Sequence, residues 1–182
     1  MKGREEAMRL LQEADVLCDA ECVQREVARM AGEISEVLAN EFPVVLSVMG
    51  GAAVFTGSLL PRLEFPLEFG AIEVTRYNND IQGREITWRL APRDNVRGRS
   101  VLVIDDILDE GITLAAIHRK LKEMGAAKVY SAVFADKELG RDKPIRADFV
   151  GVTVPNRYVF GFGMDAYGLW RNLPAIYAMK ET

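Results

Sequence analysis

Apolar residues recur along this chain with two periods, and the changes of period divide it into elements. In residues 4–18, Ala7, Met8, Leu11, Ala14 and Cys18 share one side of a 3.6-residue turn, which predicts an amphipathic helix. Asp19 can cap a second helix, with Val23, Val27, Met30, Ile34 and Leu38 on its buried face. Phe42-Pro43 ends it. Val44–Val48 predicts a short buried strand, stopped by Met49-Gly50-Gly51, and the apolar residues from Ala52 to Leu60 predict a helix closed by Pro61. Leu67–Val74 reads as a strand. A polar, turn-rich run from Thr75 to Arg84 and the alternating Glu85–Leu90 then predict a long hairpin or flap. Val101–Ile104 is a buried strand, followed by a helical pattern at Leu114, Ile117, Leu121 and Met124. Strands are predicted at Lys128–Ala135, Ala147–Val154 and Leu173–Met179, with a short apolar piece at Tyr158–Phe162. The alternation predicts an α/β fold with a mainly parallel sheet covered by helices.

Length and composition narrow this picture. A chain of 182 residues, 49% apolar and 27% charged, fits one globular domain with a sizeable core. The net charge is −4, and no basic stripe points to nucleic acid. Residues 1–45 hold ten acids and five bases, so the remainder is slightly positive. No apolar signal region or membrane-length run is present, so the expected setting is cytoplasmic, with no membrane partner. Cys18 and Cys22 are four apart on the predicted helix and far in sequence from the single histidine, His118. That is too few soft ligands for a zinc site. Both are expected to be small core-facing residues without a disulfide.

The densest chemistry lies in Val101-Leu102-Val103-Ile104-Asp105-Asp106-Ile107-Leu108-Asp109-Glu110-Gly111-Ile112-Thr113. Apolar residues give way at two adjacent carboxylates, and a glycine and a threonine then open a helix. The pattern predicts a strand, a loop at its carboxyl end and a helix N-terminus, the edge of an open α/β sheet where ligands bind. Backbone N–H groups at a helix start suit a phosphate, and the acids upstream suit sugar hydroxyls or Mg²⁺.

This run resembles the 5-phosphoribosyl-1-diphosphate (PRPP) motif of the type I phosphoribosyltransferases; Glu110, where the family has a small residue, is its one departure. The resemblance implies that family's fold, a central mainly parallel sheet with a small hood formed by terminal segments. It divides the single domain 1–182 into N-terminal helices (1–40), a core (41–155) with a flap (76–87), and a hood segment (156–182). It implies that Asp105 and Asp106 meet the ribose hydroxyls, directly or through Mg²⁺, and that Glu110, Gly111, Ile112 and Thr113 hold the 5′-phosphate. Asp109 is the residue that members acting on 6-oxopurines carry as the base for the N7 proton.

The likeness to the hypoxanthine-guanine members continues through Phe134-Ala135-Asp136-Lys137, Val154-Pro155 and Tyr158-Val159-Phe160-Gly161-Phe162-Gly163-Met164-Asp165. It implies that Lys137 bonds the purine's exocyclic oxygen, Tyr158 stacks on the base and the Val159 backbone reads its edge. Asp165 would bind a second Mg²⁺, and Arg171 would reach the diphosphate. Met49 and Gly50 match the diphosphate loop, where many members have lysine in place of Met49 and a cis peptide corresponding to Val48–Met49. Arg76-Tyr77 matches the flap dipeptide, commonly Ser-Tyr. The implied activity is purine salvage, transfer of the phosphoribosyl group from PRPP to hypoxanthine or guanine by a homo-oligomer, dimer or tetramer. The alternatives are a xanthine-preferring enzyme and a PRPP- or nucleotide-sensing regulator of the same fold that binds nucleic acid.

Overall fold

The computed structural model describes residues 3–76 and 86–180. In chain order the elements are α1 (Arg4–Glu13), β1 (Asp15–Cys18), α2 (Ala20–Leu38), β2 (Val44–Met49), α3 (Ala53–Leu59), β3 (Glu68–Arg76), β4 (Ile86–Leu90), β5 (Ser100–Leu108), α4 (Ile112–Glu123), β6 (Lys128–Lys137), β7 (Phe149–Val154), β8 (Val159–Phe160) and β9 (Ile176–Ala178). They form a six-stranded sheet, ordered β4-β3-β2-β5-β6-β7, and a three-stranded one, ordered β1-β9-β8.

The large sheet is parallel except at β4, which pairs antiparallel with β3. β5 lies at its centre because its residues bear burial on both faces: Val101, Leu102, Val103 and Ile104 are all at 0% exposure. Truncating such a side chain to alanine typically costs about 2–5 kcal/mol, so this strand is held firmly. α2 packs on β7 and α3, α3 on β5, and α4 on β6. The buried face of α2 is the one its 3.6-residue period marked, Val23, Val27, Met30, Ile34 and Leu38. Asp19 caps it, accepting the Cys22 N–H at 2.8 Å. Parallel pairing brings the carboxyl ends of β2, β5 and β6 to one edge, where Met49, Asp105, Asp106 and Lys137 gather. The small sheet is the hood, built from β1 near the N-terminus and β8 and β9 near the C-terminus.

Several sequence expectations are corrected. The first helix stops at Glu13 rather than running to Cys18; Ala14 is extended and Asp15–Cys18 is a strand. α1 buries only Ala7, so little holds its last turn, whereas β1 gains β9 as a hydrogen-bonding partner. Cys18 therefore ends a strand and Cys22 opens a helix. The turn at Asp19 sets their Cα atoms 5.4 Å apart, within bonding range, and they form a disulfide. β5 runs through both acids to Leu108, because β6 continues to pair with it as far as Asp136. The cis peptide falls at Met49–Gly50, one bond later than the family pattern implied, where glycine brings no Cβ to the turn. Most of the expected flap, residues 77–85, lies outside the described residues. No helix among the described residues is long and apolar enough to cross a membrane.

Candidate active site

Two adjoining cavities lie at the carboxyl edge of the large sheet. The first, about 470 Å³, is walled by the β2–α3 loop (Met49, Gly50, Gly51), the end of β5 (Asp105, Asp106), the start of α4 (Gly111, Thr113), and Asp165 and Arg171 from the hood. Alternation along β5 sends Asp105 and Asp106 to opposite faces of the sheet. Each is steadied locally: Asp105 Oδ1 accepts the Asp106 N–H at 3.0 Å, and Asp106 Oδ1 accepts the Ile107 N–H at 2.9 Å. The Asp106 side chain is only 14% exposed. Burial pushes its carboxyl above the usual carboxylate range, against the opposing pull of its hydrogen bonds and of the Arg171 guanidinium. Gly51 is required beside it, since a Cβ there would strike the Asp106 carboxylate.

The turn into α4 depends on Gly111, whose φ of 78° favours glycine and whose missing side chain makes room for Pro144. The helix that follows presents its N-terminal turn to the cavity, a positive dipole end suited to a phosphate. Met49 lines the same cavity at 40% exposure, so this wall carries no lysine charge. Glu110 faces elsewhere, paired with Arg141 at 3.3 Å, and neither it nor Ile112 lines either cavity.

The second cavity, about 250 Å³, shares Asp106, Ile107, Asp109 and Asp165 with the first and adds Lys137, Tyr158, Val159 and Met164. Lys137 Nζ lies 3.1 Å from Asp109 Oδ2. β6 delivers the lysine and the β5–α4 loop the carboxylate. Lys143, which the sequence did not single out, fixes both from behind, donating to the Leu108 carbonyl and to Asp136 Oδ1, each at 2.6 Å. On the hood side, Arg171 donates to the Gly163 carbonyl and Asp165 Oδ1, each at 2.6 Å, and stands 3.9 Å from Asp106 Oδ2. The Gly168 N–H holds the other Asp165 oxygen at 2.7 Å. Tyr158, half exposed, stacks with Tyr167 at 5.8 Å between ring centres.

The structure thus brings together Met49, Gly50, Asp105, Asp106, Asp109, Gly111, Thr113, Lys137, Tyr158, Val159, Asp165 and Arg171. Arg76 ends β3, and Tyr77 lies outside the described residues. Sequence reasoning missed Lys143 and Tyr167. Nothing local marks the lysine, while Tyr167-Gly168 carries a weak hairpin signal. A further concavity, about 930 Å³, is lined by Leu108 and residues between Asp136 and Ala147 and includes none of Asp105, Asp106 and Asp109.

Among the described residues, no three acidic, histidine or cysteine side chains converge as a metal cage. Asp105, Asp106 and Asp165 nonetheless ring one cavity with hard carboxylate oxygens. That fits Mg²⁺, which binds through one or two carboxylates with substrate oxygens and water completing its shell.

Comparison with known proteins agrees with this geometry. The phosphoribosyl transferase domain family matches residues 13–167. A hypoxanthine-guanine-xanthine phosphoribosyltransferase of Tritrichomonas foetus is 33% identical over 170 residues, covering 92% of each chain. A hypoxanthine-guanine phosphoribosyltransferase of Bacillus subtilis (strain 168) is 32% identical over 168 residues, 92% of this chain and 93% of that one. A solved structure of a hypoxanthine-guanine-xanthine phosphoribosyltransferase superposes with a TM-score of 0.78 at 31% identity, covering 93% of this chain and 97% of that one.

Proposed function

This chain belongs to the phosphoribosyltransferase family, and on that premise we propose that it salvages purines, moving the 5-phosphoribosyl group of PRPP onto hypoxanthine or guanine. The products are IMP or GMP and diphosphate. The observation that carries the choice of base is the pair of Lys137 Nζ and Asp109 Oδ2, 3.1 Å apart beside the smaller cavity. A 6-oxopurine presents an acceptor, O6, next to a donor, N7–H, on one edge. A donor beside an acceptor is its complement. Adenine would turn an amino donor toward the lysine, leaving both unpaired.

In this reading the base enters the smaller cavity, stacked on Tyr158 with the Val159 backbone at its edge. N9 attacks the anomeric carbon as the bond to diphosphate breaks, and Asp109 takes the N7 proton. Lys137 steadies the charge that grows on O6. Asp105 and Asp106 hold the ribose hydroxyls, and their negative field favours the oxocarbenium-like centre. The backbone from Glu110 to Thr113 and the Thr113 hydroxyl receive the 5′-phosphate. Arg171 and the backbone of Met49 and Gly50 face the diphosphate. Asp105, Asp106 and Asp165 would hold Mg²⁺, which would supply neutralisation of the leaving diphosphate's charge. We place the enzyme in the cytoplasm as a dimer or tetramer, to be read from its mass in solution.

The name of the Tritrichomonas relative favours one extension, xanthine as a third base. A steady-state assay with PRPP, Mg²⁺ and each of hypoxanthine, guanine, xanthine and adenine tests both. Turnover of the first two and none of adenine is expected. Equal turnover of adenine, or none of any 6-oxopurine, would overturn the proposal.

A further inference from the structure

The hood loop makes two tight hairpins in succession, and their comparison singles out one residue. Gly161 and Met164 bracket the first, with Phe162 and Gly163 at its tip. Ala166 and Leu169 bracket the second, with Tyr167 and Gly168 at its tip. Both tips have positive φ at both positions: 49° and 104° in the first, 54° and 83° in the second. This is the mirror-image turn that joins antiparallel strands, and Asn-Gly is its favoured tip because a bulky side chain is strained there.

Phe162 has an evident compensation. It is 2% exposed, and its ring meets Phe134 at 4.6 Å and Phe55 at 6.3 Å in the core. Tyr167 has none of that. It is 62% exposed, and its ring contact among the described residues is Tyr158, at 5.8 Å with the planes 15° apart. Tyr158 lines the smaller cavity and Tyr167, stacked against it, does not. Asp165, which begins this turn and accepts the Gly168 N–H, lines both cavities, so the turn is built into the site's wall.

We propose that Tyr167 is a positioning residue for the purine base: it backs Tyr158, so that base, Tyr158 and Tyr167 form a three-layer stack when the site is loaded. The inference rests on the purine reading of the smaller cavity. A freely rotating, half-exposed tyrosine would be a poor platform. A second ring in near-parallel register fixes its plane before the base arrives, so less ordering remains for the base to supply.

Tyr167→Asn separates this role from a structural one, because asparagine suits the turn better than tyrosine and the fold should be kept or stabilised. The KM for guanine and hypoxanthine should rise by about three- to tenfold, the range of one aromatic pair. The KM for PRPP should stay within twofold, and Tyr167→Phe should restore the parent value. Calorimetric Kd values for GMP should follow the purine KM. That measurement needs no turnover, so failure of the proposed reaction and failure of the stack are distinguishable. Unchanged purine KM and GMP Kd in Tyr167→Asn would overturn the inference. So would a lowered Tm with equal losses for purine and PRPP.

Discussion

Asp109→Asn keeps the size of the side chain at the loop after β5 and removes the proton acceptor. The expected result is a kcat lowered by about 10²–10³, in line with general-base contributions, with PRPP affinity little changed. Steady-state and PRPP-binding measurements on the same preparation check both parts; turnover within threefold of the parent would remove Asp109 from the role of base. Lys143 acts one step further back. Its Nζ ties the Leu108 carbonyl, just before Asp109, to Asp136, just before Lys137. Lys143→Met leaves those acceptors unpaired in a partly buried place, an expected destabilisation of about 1–3 kcal/mol. It also frees the spacing between Lys137 and Asp109. Purine KM should therefore rise and kcat fall, while PRPP KM holds. A loss shared equally by both substrates would mean that Lys143 serves folding alone.

α4 is held by Leu114, Ile117 and Leu121, and also by His118, 9% exposed with its Nε2 buried and without a hydrogen-bond partner among the described residues. Burial pushes the His118 pKa below its ordinary 6.5; Asp148 pulls it up and Lys122 adds to the depression. The folded protein therefore resists taking this proton. Above pH 6.5 the ring is neutral in both states and contributes no pH dependence. Below it the unfolded chain binds the proton first, so stability falls as the pH falls. His118→Leu removes both this acid sensitivity and the orphaned nitrogen. Its urea midpoint should exceed the parent's by a margin that widens between pH 7.5 and 5.5; a constant margin would refute the linkage. The same helix shows what a sequence can convey. Its apolar period, the buried face of α2 and the run Val101–Ile104 were legible because each side chain's fate is set by neighbours three, four or two residues away. The ends of elements were less so. Whether Ala14–Cys18 stays helical depends on β9, some 160 residues later, and so does the Cys18–Cys22 bond that the new strand makes possible. Asp105, Asp109 and Lys137 could be placed by their resemblance to a known motif. Lys143 and Tyr167 act through tertiary contacts that no local spacing records.

At the scale of the whole molecule, the site exists only where two sheets meet, and that meeting runs through two glycines. The Asp106 carboxylate sits where a Gly51 side chain would be, and the Gly51 carbonyl sits where a Gly163 side chain would be. Core strand, β2–α3 loop and hood are thus in direct contact. That contact lets Arg171 lean from the hood to within 3.9 Å of Asp106 while gripping Asp165. Gly163→Ala should force the hood outward, because the new methyl group meets backbone rather than a side chain that can rotate away. It also pays the strain of a φ of 104°. Gly98→Ala is the matched comparison: φ is 70°, but nothing among the described residues lies within 4 Å of the added carbon and the site is remote. Both variants should lose about 1–3 kcal/mol of stability to backbone strain. Only Gly163→Ala should also raise KM for purine and PRPP together and lower kcat, since Asp165 lines both cavities and Arg171 the first. Were the two variants to match in Tm and both keep parent kinetics, the hood would tolerate displacement, and its contact with the β2–α3 loop would not be what aligns Asp165 and Arg171 with the acids of β5.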